Sequence, residues 1–292
     1  MIERLAIIGV GLIGGSLALA LREVGLVGEV VGAGRGVANL ELARERGIVD
    51  RFTTDPAAAV ARADMVVVGA TLGATASVLQ AIAPALAPNT VVTDVGSVKG
   101  SVVEAARAAL GARLPVFVPG HPIAGTEQSG AGAAFATLYR GHKVVLTPLA
   151  ETAPDALARV RAMWAATGAQ VVEMGVAAHD AVLAATSHLP HLLAYNLVDQ
   201  LAARDDAARI FEFAAGGFRD FTRIASSNPE LWTDIALANR PALLAACRDF
   251  SAAFAALVAA LEAGDAERLR EAFVRAKTAR DRCVVPESNH RE

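Results

Sequence analysis

The sequence predicts an α/β fold: a Rossmann-type, doubly wound, mainly parallel sheet followed by an all-α domain. Three observations carry this. Short apolar runs alternate with Ala- and Leu-rich helical stretches in the first half, the pattern of a parallel sheet covered by helices. The glycines of Gly9-Val10-Gly11-Leu12-Ile13-Gly14 follow the first apolar run and open a helical stretch. From Ala177 onward helix formers dominate and the strand pattern stops. The expected domains are residues 1–174 and 175–292.

In order, the expected strands are Leu5 to Ile8, Val30 to Gly32, Met65 to Val68, Val91 to Asp94, Pro115 to Val118, Val144 to Leu146 and Val171 to Glu173. The expected long helices run near Ala178 to Ala203, Glu230 to Ala238, Ala242 to Ala263 and Ala266 to Arg282. Within the third, Leu243, Cys247, Phe250, Phe254, Leu257 and Leu261 recur at steps of three and four among many alanines. Apolar cover on several faces implies burial on several sides. An intradomain core helix and a helix packed across a dimer seam both satisfy it.

With 292 residues, 54% hydrophobic and 20% charged, the chain is long enough for two packed domains. A net charge of -3 and a pI near 6.1 give no global basic field, which argues against nucleic acid but leaves a small anion open through local Arg and His. Cys247 and Cys283 form no CxxC and no disulfide framework, as a reducing cytosol would have it. Leu5 to Leu21 is uncharged and approaches the length of a spanning helix, but four glycines interrupt it. It reads as strand, turn and helix, so no membrane partner is expected.

The glycine turn points to a dinucleotide. Gly9 permits the turn, Gly11 lets backbone approach a pyrophosphate, and Gly14 lets helix and strand pack closely. The exposed amides at the helix start, through Leu12 and Ile13, would bind phosphate. The acid that normally binds a ribose 2'-hydroxyl is missing after the second strand, which ends Val31-Gly32-Ala33-Gly34-Arg35. The cofactor is therefore NAD(P), with NADP favoured because Arg35 can meet a 2'-phosphate.

Ligands of open parallel sheets bind outside the carboxyl ends of the strands. "TDVGSVKG" places Asp94, Ser97 and Lys99 past one strand end, and "PGHPIAG" places His121 past the next. The helical half adds His188 and His191 in "TSHLPH", three apart, with Pro190 marking a kink or a helix start. Arg219 and Arg223 follow Gly216-Gly217, four apart. Two His and two Arg beside glycine loops suit an anion. No carboxylate sits at ligand spacing from the His pair, so no metal is expected.

Taken together, "GVGLIGGS", "TDVGSVKG", "GHPIAGTEQSG", "ATSHLPHLLA" and "GGFRDFTRIASSNPELWTDI" make the chain resemble the prephenate dehydrogenase family, which includes cyclohexadienyl and arogenate dehydrogenases of tyrosine biosynthesis. The resemblance spans nearly the whole chain. It implies a Rossmann domain, then a helical substrate-binding and dimerisation domain, in a cytoplasmic homodimer of aromatic amino acid biosynthesis. It implies oxidative decarboxylation of prephenate, with arogenate as the alternative substrate. His121 then accepts the substrate's hydroxyl proton and Ser97 hydrogen-bonds near it. Arg223 and His191 hold the substrate, His188 supports them, and Thr126 and Glu127 shape the pocket wall. Trp232 matches a family aromatic that approaches the site, from the same chain or its dimer mate. Thr71 stands where many relatives carry proline in the loop over the cofactor.

Two other readings compete with this one. A β-hydroxyacid dehydrogenase would need a lysine in the first helix of the second domain, and the chain's lysines are Lys99, Lys143 and Lys277. A non-catalytic dinucleotide sensor would need neither His121 at a strand end nor the Arg223 cluster.

Overall fold

A computed structural model describes residues 1–126 and 128–283. Its contacts divide the chain into two compact units, Met1–Leu243 and Leu244–Glu292.

The first unit is built on a six-stranded parallel sheet of order β3-β2-β1-β4-β5-β6, formed by β1 (Ile2–Ile8), β2 (Val27–Ala33), β3 (Arg51–Thr53), β4 (Met65–Val68), β5 (Val91–Asp94) and β6 (Phe117–Val118). The helices α1 (Leu12–Glu23), α2 (Val37–Glu45), α3 (Pro56–Val60), α4 (Leu72–Ile82) and α5 (Lys99–Leu110) connect these strands. Alternation along β1 feeds two cores. Leu5 and Ile7 pack with Leu17, Leu21, Tyr139 and Trp164, while Ala6 and Ile8 pack with Val66, Leu79 and Phe117. Both faces being covered, the strands read as unbroken apolar runs.

Strand order reverses between β1 and β4, which makes their carboxyl ends the switch point where such sheets bind ligands. The two ends meet through glycines. Gly9 has φ +96°, and a Cβ there would lie 2.4 Å from the Gly69 carbonyl oxygen. Backbone cannot step aside as a side chain does, so Gly9→Ala is expected to cost about 3 kcal/mol or more from strain and overlap together. A thermal melt superimposable on that of the unaltered chain would show that the strand ends can part.

After β6 the chain leaves this sheet. β7 (Gly120–Pro122) pairs antiparallel with β8 (Lys143–Leu146), which pairs parallel with β9 (Gln170–Glu173), giving a second, three-stranded sheet. Between β8 and β9 lies α6 (Pro154–Ala166). The sequence expectation lacked β3 and β7, and it began the sixth strand at Pro115, which lies in a 3-10 segment, Gly111–Val116. Strands of three residues are too short to show a period of two, and Gly-His-Pro reads as a turn.

Next, α7 (Val176–Leu183) runs through one π-helical turn (Ala184–His188) into α8 (Leu189–Ala202). Pro190 follows directly on this π-helical turn, and its missing amide fits the interruption of regular i→i−4 bonding there. Three shorter helices follow: α9 (Ala207–Glu212), α10 (Gly216–Thr222) and α11 (Pro229–Ala238). The Asn228 side chain caps the last by accepting from the Leu231 amide at 3.0 Å. Since β9 ends at Glu173 and α7 begins at Val176, we propose residues 174/175 as the boundary between the α/β and helical domains; contact alone groups the helices up to Leu243 with the sheet.

The second unit holds most of α12 (Arg240–Glu262) and α13 (Ala266–Cys283). Leu244, Phe250, Phe254, Val258 and Leu261 of α12 are exposed, as are Phe273 and Val274 of α13. Of the two sequence readings of this helix, burial in the core of its own chain is therefore not what forms. Among the described residues α12 is also long and apolar enough to cross a membrane by length and composition. Leu5 to Leu21, by contrast, is β1, turn and α1.

Candidate active site

The glycine turn fits a dinucleotide. Nothing lies within 4 Å of a Cβ built on Gly11, so the turn faces open space. No side chain caps the start of α1, leaving first-turn amides for an anion. A Cβ on Gly14 would lie 2.7 Å from the Ile7 side chain, so α1 packs on β1 as closely as the motif requires. Asn39 ties this turn to the segment after β7: its Nδ2 donates to the Val10 carbonyl at 2.7 Å, and its Oδ1 accepts from the Ala131 amide at 2.8 Å. Arg35 lies past the end of β2 and is exposed. Thr71 immediately precedes α4, past the end of β4.

The next cluster is a buried ion pair. Asp94 ends β5 and Lys99 opens α5, and the Lys99 ammonium bonds the Asp94 carboxylate and, at 2.6 Å, the Gly120 carbonyl. Lys99 is 0% exposed. Burial pushes its ammonium below the usual lysine value, and Asp94 opposes that. Asp94 also accepts from the Gly96 amide at 2.7 Å and the Gly120 amide at 3.1 Å. One carboxylate thus fixes the backbone beside both Ser97 and His121.

His121 lies on β7, half-buried, with Nδ1 2.9 Å from Nε2 of His179. Among the described residues no hydrogen bond joins it to Ser97. His179 Nδ1 in turn lies 2.7 Å from Asp180 Oδ1. Burial first, then the positive charge of Lys99, holds His121 well below the usual histidine value, so its ring is neutral near pH 7. His188 is buried, with Nδ1 3.0 Å from Asn239 Nδ2, and that amide also donates to the Asp180 carbonyl at 2.8 Å. Burial lowers His188 to about 4. His191 Nδ1 donates to the Ser187 carbonyl at 2.9 Å, and its ring stacks on Trp232 of the same chain, centroids 3.4 Å apart and planes 17° apart.

These shifts have a sign in stability. His121 and His188 bind their protons more weakly in the folded chain than unfolded, so the unfolded state takes up more protons as pH falls below about 6.5. Their contribution is complete above that pH and is lost toward the folded value, about 4 for His188. For His188, discounted for partial solvent access, the loss between about pH 7 and about pH 5 is on the order of 1 kcal/mol, and His121 adds in the same direction. Urea melts at both values measure it; equal midpoints would contradict it.

The structure thus links His121 to His188 by hydrogen bonds through His179, Asp180 and Asn239, and ring contacts with Trp232 bring His191 alongside His188. Ser97 stands one residue before the Val98 cap of α5 and is partly exposed. Arg223 opens the 3-10 turn Arg223–Ser226 after α10, and Arg219 lies within α10. Thr126 is exposed, with its hydroxyl accepting from the Gln128 amide at 3.2 Å. Glu127 lies outside the described residues. His179, Asp180 and Asn239 escaped sequence reading because their partners are distant in the chain and no spacing marks them. Among the described residues no cluster of His, Cys, Asp and Glu could hold a metal ion.

The model of the prephenate dehydrogenase nucleotide-binding domain matches residues 17–173, and that of the prephenate dehydrogenase dimerization domain matches residues 176–275. A cyclohexadienyl dehydrogenase of Zymomonas mobilis is 38% identical, over 95% of each chain. A prephenate dehydrogenase of Bacillus subtilis is 34% identical, over 96% of this chain and 76% of its own. Among solved structures, prephenate dehydrogenase from Aquifex aeolicus in complex with hydroxyphenyl propionate and NAD+ superposes with a TM-score of 0.90 at 34% identity, covering 96% of this chain and 98% of that one. Glycine turn, strand-end histidine and helical half therefore have one origin: the chain belongs to the prephenate dehydrogenase family.

Proposed function

We propose that the chain oxidises and decarboxylates prephenate to 4-hydroxyphenylpyruvate, with hydride transfer to NAD(P), in tyrosine biosynthesis. The observation that carries this reading is a half-buried imidazole, His121, kept neutral by burial and held through Gly120 at the carboxyl end of β5, in a domain whose first strand ends in the dinucleotide turn. When bound, the oxidised nicotinamide supplies the hydride acceptor.

His121 takes the hydroxyl proton as hydride leaves the ring carbon bearing that hydroxyl. Loss of carbon dioxide then sends its bonding electrons through the ring to the oxygen, and His121 returns the proton to the phenol. Charges balance with no net proton released, and the aromatic ring drives the step forward. Ser97 orients the hydroxyl. Arg223 holds a substrate carboxylate with its planar fork, and His191, steadied by Trp232, contributes beside it. His188 braces this group from behind, and Thr126 and Glu127 form the wall. Gly9, Gly11, Leu12, Ile13 and Gly14 hold the pyrophosphate, and Thr71 borders the cofactor.

For the finer choice, the missing acid after β2 and the presence of Arg35 support NADP, whereas the solved relative from Aquifex aeolicus carries NAD+. The exposed apolar face of α12 and the dimerization-domain match support a homodimer through the helical domain; a biosynthetic role of this kind belongs in the cytoplasm. The test is formation of reduced nicotinamide in a grid of prephenate or arogenate against NAD or NADP. Turnover with prephenate is expected. Faster turnover with arogenate would move the substrate to the amino acid, and four blank cells with a folded, cofactor-binding protein would leave a dinucleotide sensor.

A further inference from the structure

Two ionisable side chains beside the proton acceptor have no part in the reaction as derived above: His179 and Asp180. His179 is 0% exposed, and its two ring nitrogens are both engaged, Nε2 with His121 Nδ1 at 2.9 Å and Nδ1 with Asp180 Oδ1 at 2.7 Å. Asp180 projects from α7 onto the start of α5, where Oδ1 accepts from the Lys99 amide at 2.8 Å and Oδ2 from the Gly100 amide at 2.7 Å. A Cβ on residue 100 would sit 2.9 Å from that carboxylate, so glycine makes the approach possible. Burial works against the Asp180 charge, but the His179 bond and the two amides outweigh it and hold the carboxyl below its usual range.

An ionised carboxylate only accepts hydrogen bonds. His179 must therefore carry its hydrogen on Nδ1, and in that tautomer its Nε2 is bare. The partner of a bare nitrogen must donate, so the hydrogen of His121 sits on Nδ1 and its Nε2 is left with a lone pair. The opposite tautomer of His121 would set one lone pair against another. The other ionisable groups around the ring leave this order intact: Lys99 is paired with Asp94, and neutral His188 faces Asn239.

We propose that His179 and Asp180 are positioning residues that fix the tautomer of His121, so that Nε2 is the nitrogen offered to the substrate hydroxyl. The inference rests on the reading of His121 as proton acceptor and deepens it. It also explains how a half-buried imidazole bears a transient charge. When the proton arrives on Nε2, the Nδ1–H bond to His179 becomes charge-assisted, and the Asp180 carboxylate stands at the end of the same chain of bonds.

Nitrogen-15 NMR of the unaltered protein is the first test, with the His121 signal assigned by its absence from His121→Asn. A protonated Nδ1 and a bare Nε2 are expected, and the reverse overturns the proposal without recourse to a variant's folding. His179→Phe removes the acceptor and is expected to lower kcat about 10–100-fold with little change in KM, as loss of an orienting partner does. His179→Gln, whose amide oxygen can accept from Nδ1, should retain more of the rate than Phe. A folded His179→Phe with unaltered kcat, beside an inactive His121→Asn, would overturn this inference alone. An active His121→Asn would remove the proton acceptor itself.

Discussion

Replacing His121 by asparagine is expected to lower kcat about 10²–10⁴-fold, the range that a positioned acid-base group supplies. Asparagine suits the test because its amide can still donate to His179 while the nitrogen corresponding to Nε2 is gone. The backbone of β7 is held independently, by Asp94 at the Gly120 amide and by Lys99 at the Gly120 carbonyl, so the strand should keep its place. Dinucleotide affinity should stay within about twofold, since the glycine turn after β1 shares no side chain with His121. Titration with reduced cofactor alongside steady-state rates separates the two. Equal losses in rate and cofactor affinity would mean that the imidazole is structural.

Lys99→Met is expected to have the largest effect on stability. Methionine nearly matches the length of the side chain but strips the ammonium from between two acceptors, Asp94 and the Gly120 carbonyl. Breaking a buried pair from one side costs about 3–5 kcal/mol, because the remaining charge stays out of water. For a chain of this size that is a fall in Tm on the order of 10 °C. Two amides continue to serve Asp94, which argues for the lower end of the range. Adding Asp94→Asn should restore part of the loss, since it removes the stranded charge. A single variant within about 1 kcal/mol of the unaltered chain would show that water or a neutral carboxyl relieves the site.

The parallel sheet was legible because its central strands are buried on both faces and must be apolar throughout. The glycine turn was legible for a related reason: Gly9 and Gly14 each meet a separate steric demand, and Gly11 stands at fixed spacing between them facing open space. Strand ends then placed Asp94, Lys99 and His121 at one edge. What stayed hidden depends on partners far away in the chain. β7 exists because β8 pairs with it, and nothing within Gly-His-Pro announces a strand. His179 meets a residue 58 positions earlier, and Asp180 meets amides about 80 positions earlier, so neither leaves a local pattern. The apolar steps along α12 told of a helix with apolar faces; they could not tell that those faces stay exposed in its own chain.

The π-helical turn between α7 and α8 has a consequence for how this segment tolerates changes in length. At roughly 100° per residue, the twelve positions from His179 to His191 would carry the second ring about 120° around a regular helix. A wide turn that absorbs one residue brings it back to within about 20°. The segment is therefore one codon longer than a regular helix presenting the same face would need. Deleting a residue within Ala184–His188 is expected to convert the wide turn to a regular one and keep the bearing of His191 relative to His179, whereas inserting one there turns His191 by about 100°. Length variation along this helix is thus permitted in one direction only.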